Sequence, residues 1–435
     1  MRRYRFAGRT SRLTVANGFL MRVFYADTGL SHDLGHHANA CRLMAGEWRA
    51  RGHEVMVVAS NIVTQDLQAE LGARPHFRVH TYASNDDDPF CGWLTAFFNS
   101  ATITREDFEA LGPFEATDLL YVNSVQPAQL MALANFIGGP HGATRPRVVA
   151  ELGTAPGLDF EWREDMLHFH PKDPRHDPKS VFYRFTSFLM RSTDPRLVTF
   201  HPTCSAIYGH LLRREVSTVP VPHQASAAPF SRAGHRRLTV GVLGHQRADK
   251  GYHLVPRIAE ILLSAPLDIR LLLHNGAPGY MHGAQEEVRA LAAREDRIIL
   301  DERIADQALW SALLRDCDLV LCPYHPPSYI GAYSAVVGEA LAEGIPIVVP
   351  YNTTLARTFH EYGSPGATFY DFTPEAIAAA TLGVLTDFDT HAERAMAAAA
   401  RWKTGMGAGR TVESILALIG DDHENDALDQ QRKVA

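Results

Sequence analysis

Two consecutive series of short apolar strands and amphipathic helices, joined by one polar break, fill most of this chain, and that alternation restricts its fold more than any other feature. In the first series Arg22–Ala26 reads as a strand, Ala38–Arg51 as an amphipathic helix, and Glu54–Ala59 as a second strand after the turn Arg51-Gly52-His53. Phe77–Tyr82, Asp118–Val122, Arg147–Ala150, Arg196–Thr199 and Val216–Val221 continue as strands. The break, His223–Arg237, is polar and interrupted by Pro and Gly, as a linker is. A second series follows: strand Leu238–Leu243, helix Leu254–Leu263, strand Ile269–Leu273, helix Ala284–Ala293, strand Arg297–Leu300 and helix Asp306–Arg315, then further elements to Leu418. Such alternation predicts an α/β fold class with parallel sheets covered by helices on both faces. The expected division is residues 21–222, a linker over 223–237, and residues 238–420, the last helix able to pack back on the first domain. Ligands of open α/β sheets sit beyond the carboxyl ends of the strands, so two such halves predict an interdomain cleft.

The ends of the chain and its composition narrow the class. Residues 1–20 are basic without an apolar core, so they read as a disordered leader or a mis-assigned start, with folded structure beginning at Met21. Residues 421–435 are charged and read as a disordered tail. A net charge of −7 gives no support for nucleic-acid binding, while peripheral membrane contact through a local basic patch stays compatible with it. Five scattered cysteines without a CxxC pair fit a reduced, cytoplasmic chain.

The stretch Asp318–Pro350 carries the most chemistry. It reads as strand Asp318–Cys322, a Pro/Gly/Tyr-rich loop, a helix opening near Ser334, and strand Ile345–Val349. Free N–H groups at the helix start, around Tyr333, Ser334, Ala335 and Val336, suit a diphosphate. Glu339 follows about a turn and a half later, where a carboxylate can accept hydrogen bonds from vicinal ribose hydroxyls. Earlier, the strand ending at Gly244 leads into a loop with Arg247 and Lys250 before Gly251. The chain has few lysines, and one placed directly after a strand offers a point charge for a diphosphate, with Arg247 able to add a bidentate contact.

Together, GHQRADKG (244–251), the strands at 269–273 and 298–300, and VVGEALAEGIPIVVP (336–350) resemble retaining glycosyltransferases of family 4. That resemblance implies a GT-B architecture, two facing Rossmann-like domains with parallel sheets and an interdomain cleft. The family's Gly-Arg-x-x-x-x-Lys-Gly loop is matched by Lys250-Gly251. The second glutamate of its Glu-x7-Glu motif is matched by Glu339, and the motif's tail by Ala340, Gly344, Pro346, Val348 and Val349. The sequence departs from the pattern at Gly331, where the family's first glutamate stands, and at His245, where its loop arginine stands. It departs again at Glu151, where many members have a histidine near the reacting sugar. The resemblance implies sugar transfer from a nucleoside-diphosphate sugar to a glycan, lipid-linked or protein acceptor, with retention, without a metal and with no cofactor besides the donor co-substrate. Glu151, Lys250 and Arg247 are then the catalytic candidates. Glu339, Gly244, Tyr333, Ser334, Ala335, Val336 and Arg303 are the donor-binding ones. Gly35, His36 and His37, after the first strand, would face the donor phosphate or the acceptor, or simply enter a helix. Two alternatives stay open: another GT-B reaction, epimerisation or phosphorolysis, or a glycosyltransferase-like scaffold without catalysis.

Other chemistries are not indicated. His168, His170, Asp173, His176 and Asp177 fit no structural zinc spacing, and that segment reads instead as an insertion lining the acceptor cleft. No G-x-S-x-G elbow or G-x-x-x-x-G-K-[ST] loop is present.

Overall fold

The computed structural model describes residues 20–420 apart from 34, 83–91, 140–143, 154, 164–165, 224–231, 235–236 and 277–280, and omits the side chains of 162 and 192. The expected leader, most of the linker and the tail therefore lie outside the described residues.

The strands of the first half are β1 (Arg22–Asp27), β2 (Glu54–Ser60), β3 (Arg74–Phe77), β4 (Leu119–Val122), β5 (Arg147–Glu151), β6 (Leu158–Arg163), β7 (Met166–Pro171), β8 (Arg196–Thr199) and β9 (Ser217–Thr218). Seven form one sheet in the order β3-β2-β1-β4-β5-β8-β9, with every pairing parallel. The second half contributes β10 (Leu238–Val242), β11 (Ile269–His274), β12 (Ile298–Asp301), β13 (Leu319–Leu321), β14 (Ile347–Pro350) and β15 (Gly366–Phe369). They make a parallel sheet in the order β12-β11-β10-β13-β14-β15. The central strands are apolar on both faces; in β1, Val23 through Asp27 are all buried, because helices cover the sheet on each side. In each sheet the order reverses beside the first strand, between β1 and β4 and between β10 and β13. These are the switch points where a crevice opens at the carboxyl edge.

Three local expectations are corrected. The strand over Phe77–Tyr82 ends at Phe77, because the Arg78 N–H donates to Asp107 Oδ2 at 3.0 Å rather than to a neighbouring strand. Val216–Val221 shrinks to Ser217–Thr218; Pro220 and Pro222 lack the N–H that a longer ladder needs. The segment read as an inserted loop is an antiparallel hairpin, β6 paired with β7. Its alternation in LDFEWR and MLHFHP is hidden by the acidic and histidine side chains on the outer face.

The last described helix, residues 408–420, sends Ala408, Val412, Ile415 and Ile419 into the core beneath β1 and β2. The chain thus crosses back to the first half after completing the second. Among the described residues, no helix is long and apolar enough to cross a membrane.

Candidate functional site

A cleft of about 430 Å³ lies between the carboxyl edges of the two sheets, within the range of small-ligand sites. Asp33, Gly35, His36 and Asn39 line it from the first half; Gly244, His245, Lys250, His274, Trp310 and Glu339 are among those facing them. Two other hollows are bordered by the starts of β5 and β8 and by the starts of β10 and β11. They open at the amino edges, away from both switch points.

On the second-half wall, β10 ends one residue before Leu243-Gly244, and a tight turn returns Lys250 to the cleft. Gly251 makes this turn possible. Its φ is +66°, and a Cβ there would lie 1.7 Å from the Pro323 carbonyl oxygen, so only glycine fits. Lys250 Nζ sits 5.2 Å from the Tyr324 ring centroid, and among the described residues no carboxylate pairs with it. Lys250 is half-buried. Loss of hydration, followed by repulsion from Arg247, lowers its pKa from 10.5 to about 8, so it is a cation at neutral pH.

Past β13, Ser334 precedes the helix Ala335–Ala342, and Ala335 and Val336 line the cleft. Glu339 reaches the same space. The Trp310 indole N–H donates to Glu339 Oε2 at 2.6 Å, and His223 Nδ1 lies 3.4 Å from Oε1. The indole N–H fixes the carboxylate's direction, and the carboxylate keeps lone pairs for a hydroxyl donor in the cleft that Glu339 lines. Three candidates are placed differently. Arg247 is held by Asp249 (Nε to Oδ1 2.9 Å, Nη2 to Oδ2 2.6 Å) and does not line the cleft, where His245 stands instead. The Arg303 guanidinium turns outward onto Asp301 and is 70 % exposed, while its carbonyl accepts from His274 Nε2 at 3.0 Å. Among the described residues the buried Tyr333 hydroxyl has no hydrogen-bond partner, and its ring stacks on His223.

On the first-half wall, Gly35 and His36 face the cleft. Burial and the adjacent His37 charge lower the His36 pKa to about 3, so this imidazole is neutral. His37 turns inward: its Nδ1 lies 2.9 Å from Asp27 Oδ1, and its Nε2 3.0 Å from the Tyr82 hydroxyl. Burial opposes ionisation of both partners, but their mutual attraction prevails, raising His37 and lowering Asp27 from their usual values. His37 therefore anchors the helix His36–Ala50 to the end of β1 and makes no cleft contact. The pair stabilises the fold most at pH values between the unfolded pKa values of Asp and His, roughly 4 to 6.5. The Asp27 share is lost as pH falls through its lowered value, the His37 share as pH rises through its raised one. Asp27→Ala strands a buried imidazole and is expected to cost about 3–5 kcal/mol in denaturant unfolding at pH 6.

Glu151 is likewise not a cleft residue. It ends β5 at 2 % exposure, its Oε2 accepts the Ser124 N–H at 2.7 Å, and Oε1 has no partner among the described residues. Burial pushes its carboxyl up to about 7. Its position behind Ser124 makes it a support for the wall rather than a group beside a bound ligand; Asp33 and His36 are first-half titratable side chains that do line the cleft.

The departure at Gly331 has a steric cause. A Cβ there would lie 2.9 Å from Phe160 Cζ and 3.0 Å from Ile207 Cδ1. Phe160 comes from β6, so the inserted hairpin packs onto the very position where a glutamate was expected. His168, His170, Asp173, His176 and Asp177 sit on or after its second strand, and no cluster of metal-binding side chains occurs among the described residues.

The sequence reading missed Trp310, His274, Asn39 and the Ile304–Gln307 segment as lining residues. Trp310 carried a usable signal, standing one turn into a helix capped by Asp306, whose Oδ1 accepts from the Leu309 N–H. The others depend on how loops after β1, β11 and β12 converge.

No family model matches the chain, and no curated protein matches it. Solved structures do. It is similar to HepE of Anabaena, determined with UDP and glucose (15% identity, 92% of this chain and 99% of that one, TM-score 0.60). It is also similar to sucrose-phosphate synthase of Thermosynechococcus elongatus (12%, 94% and 100%, TM-score 0.64) and to a glycosyltransferase of Rickettsia africae (11%, 92% and 97%, TM-score 0.60). With its two parallel sheets and facing switch points, the chain has the GT-B fold, an α/β architecture of two Rossmann-like domains.

Proposed function

We propose that this chain is a glycosyltransferase that moves a sugar from a nucleoside-diphosphate donor to a hydroxyl acceptor, with retention and without a metal. One observation carries the reading: Lys250, Glu339 and the opening turn of the Ala335–Ala342 helix line one cleft at the β10/β13 switch point. A diphosphate between Lys250 and the helix start would meet a cation and free N–H groups. Both stabilise charge as it develops on the departing phosphate. Glu339 would hold the ribose, and the loops around His274 and Ile304–Gln307 would enclose the base. The structures of HepE with UDP, with UDP and glucose, and with UDP-glucose make the same ligand class the natural first choice.

Glu339→Gln is expected to raise the donor KM about 10–100-fold, because a charge-assisted hydrogen bond contributes about 1.5–3 kcal/mol. The assay incubates wild type and variant with a panel of nucleotide sugars and follows release of the nucleoside diphosphate. Release by wild type with a weakened variant supports the reading. No consumption of any donor, or a free epimer as product, contradicts it.

A further inference from the structure

β14 and β15 run parallel and in register as far as Pro350 opposite Phe369. The ladder extends one step further, the Tyr351 N–H donating to the Phe369 carbonyl at 2.8 Å. Tyr351 and Tyr370 thereby pack one ring against the other past the carboxyl edge, their ring centroids 4.3 Å apart at an interplanar angle of 35°. Both rings face solvent, Tyr370 with 70% exposure. Leaving apolar rings in water forgoes the stabilisation that burial gives. The residue after each tyrosine, Asn352 and Asp371, is also exposed. Asn352 has φ 56, in the left-handed region, a conformation that costs free energy outside glycine.

The outward face of this packed pair, mainly that of Tyr370, is bordered by a planar amide and a carboxylate and matches a saccharide. The C–H face of a pyranose packs on the electron-rich ring face, and the ring hydroxyls pair with Asn and Asp. An acyl chain would gain nothing from these polar groups, and a polyanion would be repelled by Asp371. The platform also lies on the cleft-facing edge. The Thr354 hydroxyl donates to the carbonyls of Tyr329, at 2.9 Å, and of Ala332. The Tyr351–Thr354 turn is thereby tied to the Gly331 segment that meets the hairpin.

We propose that Tyr351 and Tyr370, with Asn352 and Asp371, form a subsite for a saccharide chain, which makes a glycan the acceptor class. The word acceptor rests on the proposed transferase reading; the saccharide-binding surface does not. The test uses the full chain and its Tyr351→Ala/Tyr370→Ala double variant, both positions being solvent-facing. Binding of maltotetraose, cellotetraose, chitotetraose and mannotetraose is measured by saturation-transfer NMR and titration, with UDP binding in parallel. At least one tetrasaccharide binds the wild type, and the double variant weakens it tenfold or more without changing UDP affinity. If no tetrasaccharide binds, or if the double variant binds as wild type does, the subsite is wrong. Saccharide binding without any nucleotide binding would leave the subsite standing and overturn the transferase reading.

Discussion

Replacing Lys250 with alanine lowers transfer about 10²–10³-fold, the loss typical of removing one preorganised group that stabilises transition-state charge, while the fold survives. Lys250 is held by no ion pair among the described residues and approaches Gly244 at the cleft surface, so its removal leaves no buried carboxylate exposed. The lowered pKa makes a second, sharper expectation. Between about 8 and 10.5 the unfolded chain binds the extra proton, so the native state gains stability as pH rises through that window. The ammonium is a net cost to the empty fold. Lys250→Ala is therefore at least as stable as wild type near neutral pH, a divergence between stability and activity that a structural lysine would not give. In wild type, kcat/KM for the donor falls as pH climbs through about 8, because the free protein loses the charge that meets the diphosphate.

Introducing a glutamate at position 331 abolishes most transfer instead of improving it. The new side chain would start 2.9 Å from Phe160 and 3.0 Å from Ile207. Overpacking of this kind costs about 1–3 kcal/mol, and a carboxylate among apolar side chains adds to it. Relief requires Phe160 of the β6–β7 hairpin and Ile207 of the helix Pro202–Leu212 both to draw back from the second domain. Nucleoside diphosphate binding persists in Gly331→Glu, because Lys250, Glu339 and the Ala335–Ala342 helix all belong to that domain. The paired variant Gly331→Glu/Phe160→Ala recovers stability relative to Gly331→Glu alone, as expected for residues in direct contact. Transfer and thermal unfolding measured on the three chains decide the point. A single Gly331→Glu variant more active than wild type would mean that the position is an empty sugar subsite and not a domain contact.

The fold was legible because it is written in periodicity. Apolar runs such as Val23–Ala26 and Ile347–Val349 alternate with amphipathic helices, and this alone dictates parallel sheets with both faces covered. The placing of Lys250 and Glu339 on one cleft wall was legible for a related reason: both are fixed by short local motifs, a glycine-ended turn and a helix start, that act within a few residues. The first-domain wall was less so: Gly35 and His36 line the cleft, while Glu151 and His37 do not. Glu151 and His37 stand at strand and helix ends that point toward the cleft in outline, yet each is claimed by a buried neighbour, Ser124 in one case and Asp27 in the other. Which of two adjacent histidines faces solvent is decided by contacts across 10 residues or more. Gly331 is the clearest instance. Its meaning depends on Phe160, 171 positions earlier, and on a hairpin whose alternation the polar residues conceal.

A crystal structure with a bound nucleoside diphosphate, beginning with UDP, tests the central claim most directly. The account predicts the diphosphate between Lys250 Nζ and the N–H groups at Ala335 and Val336, a ribose hydroxyl on the Glu339 carboxylate, and the base among the loops after β11 and β12. A nucleotide bound outside this cleft, or one whose phosphates leave Lys250 untouched, would contradict it.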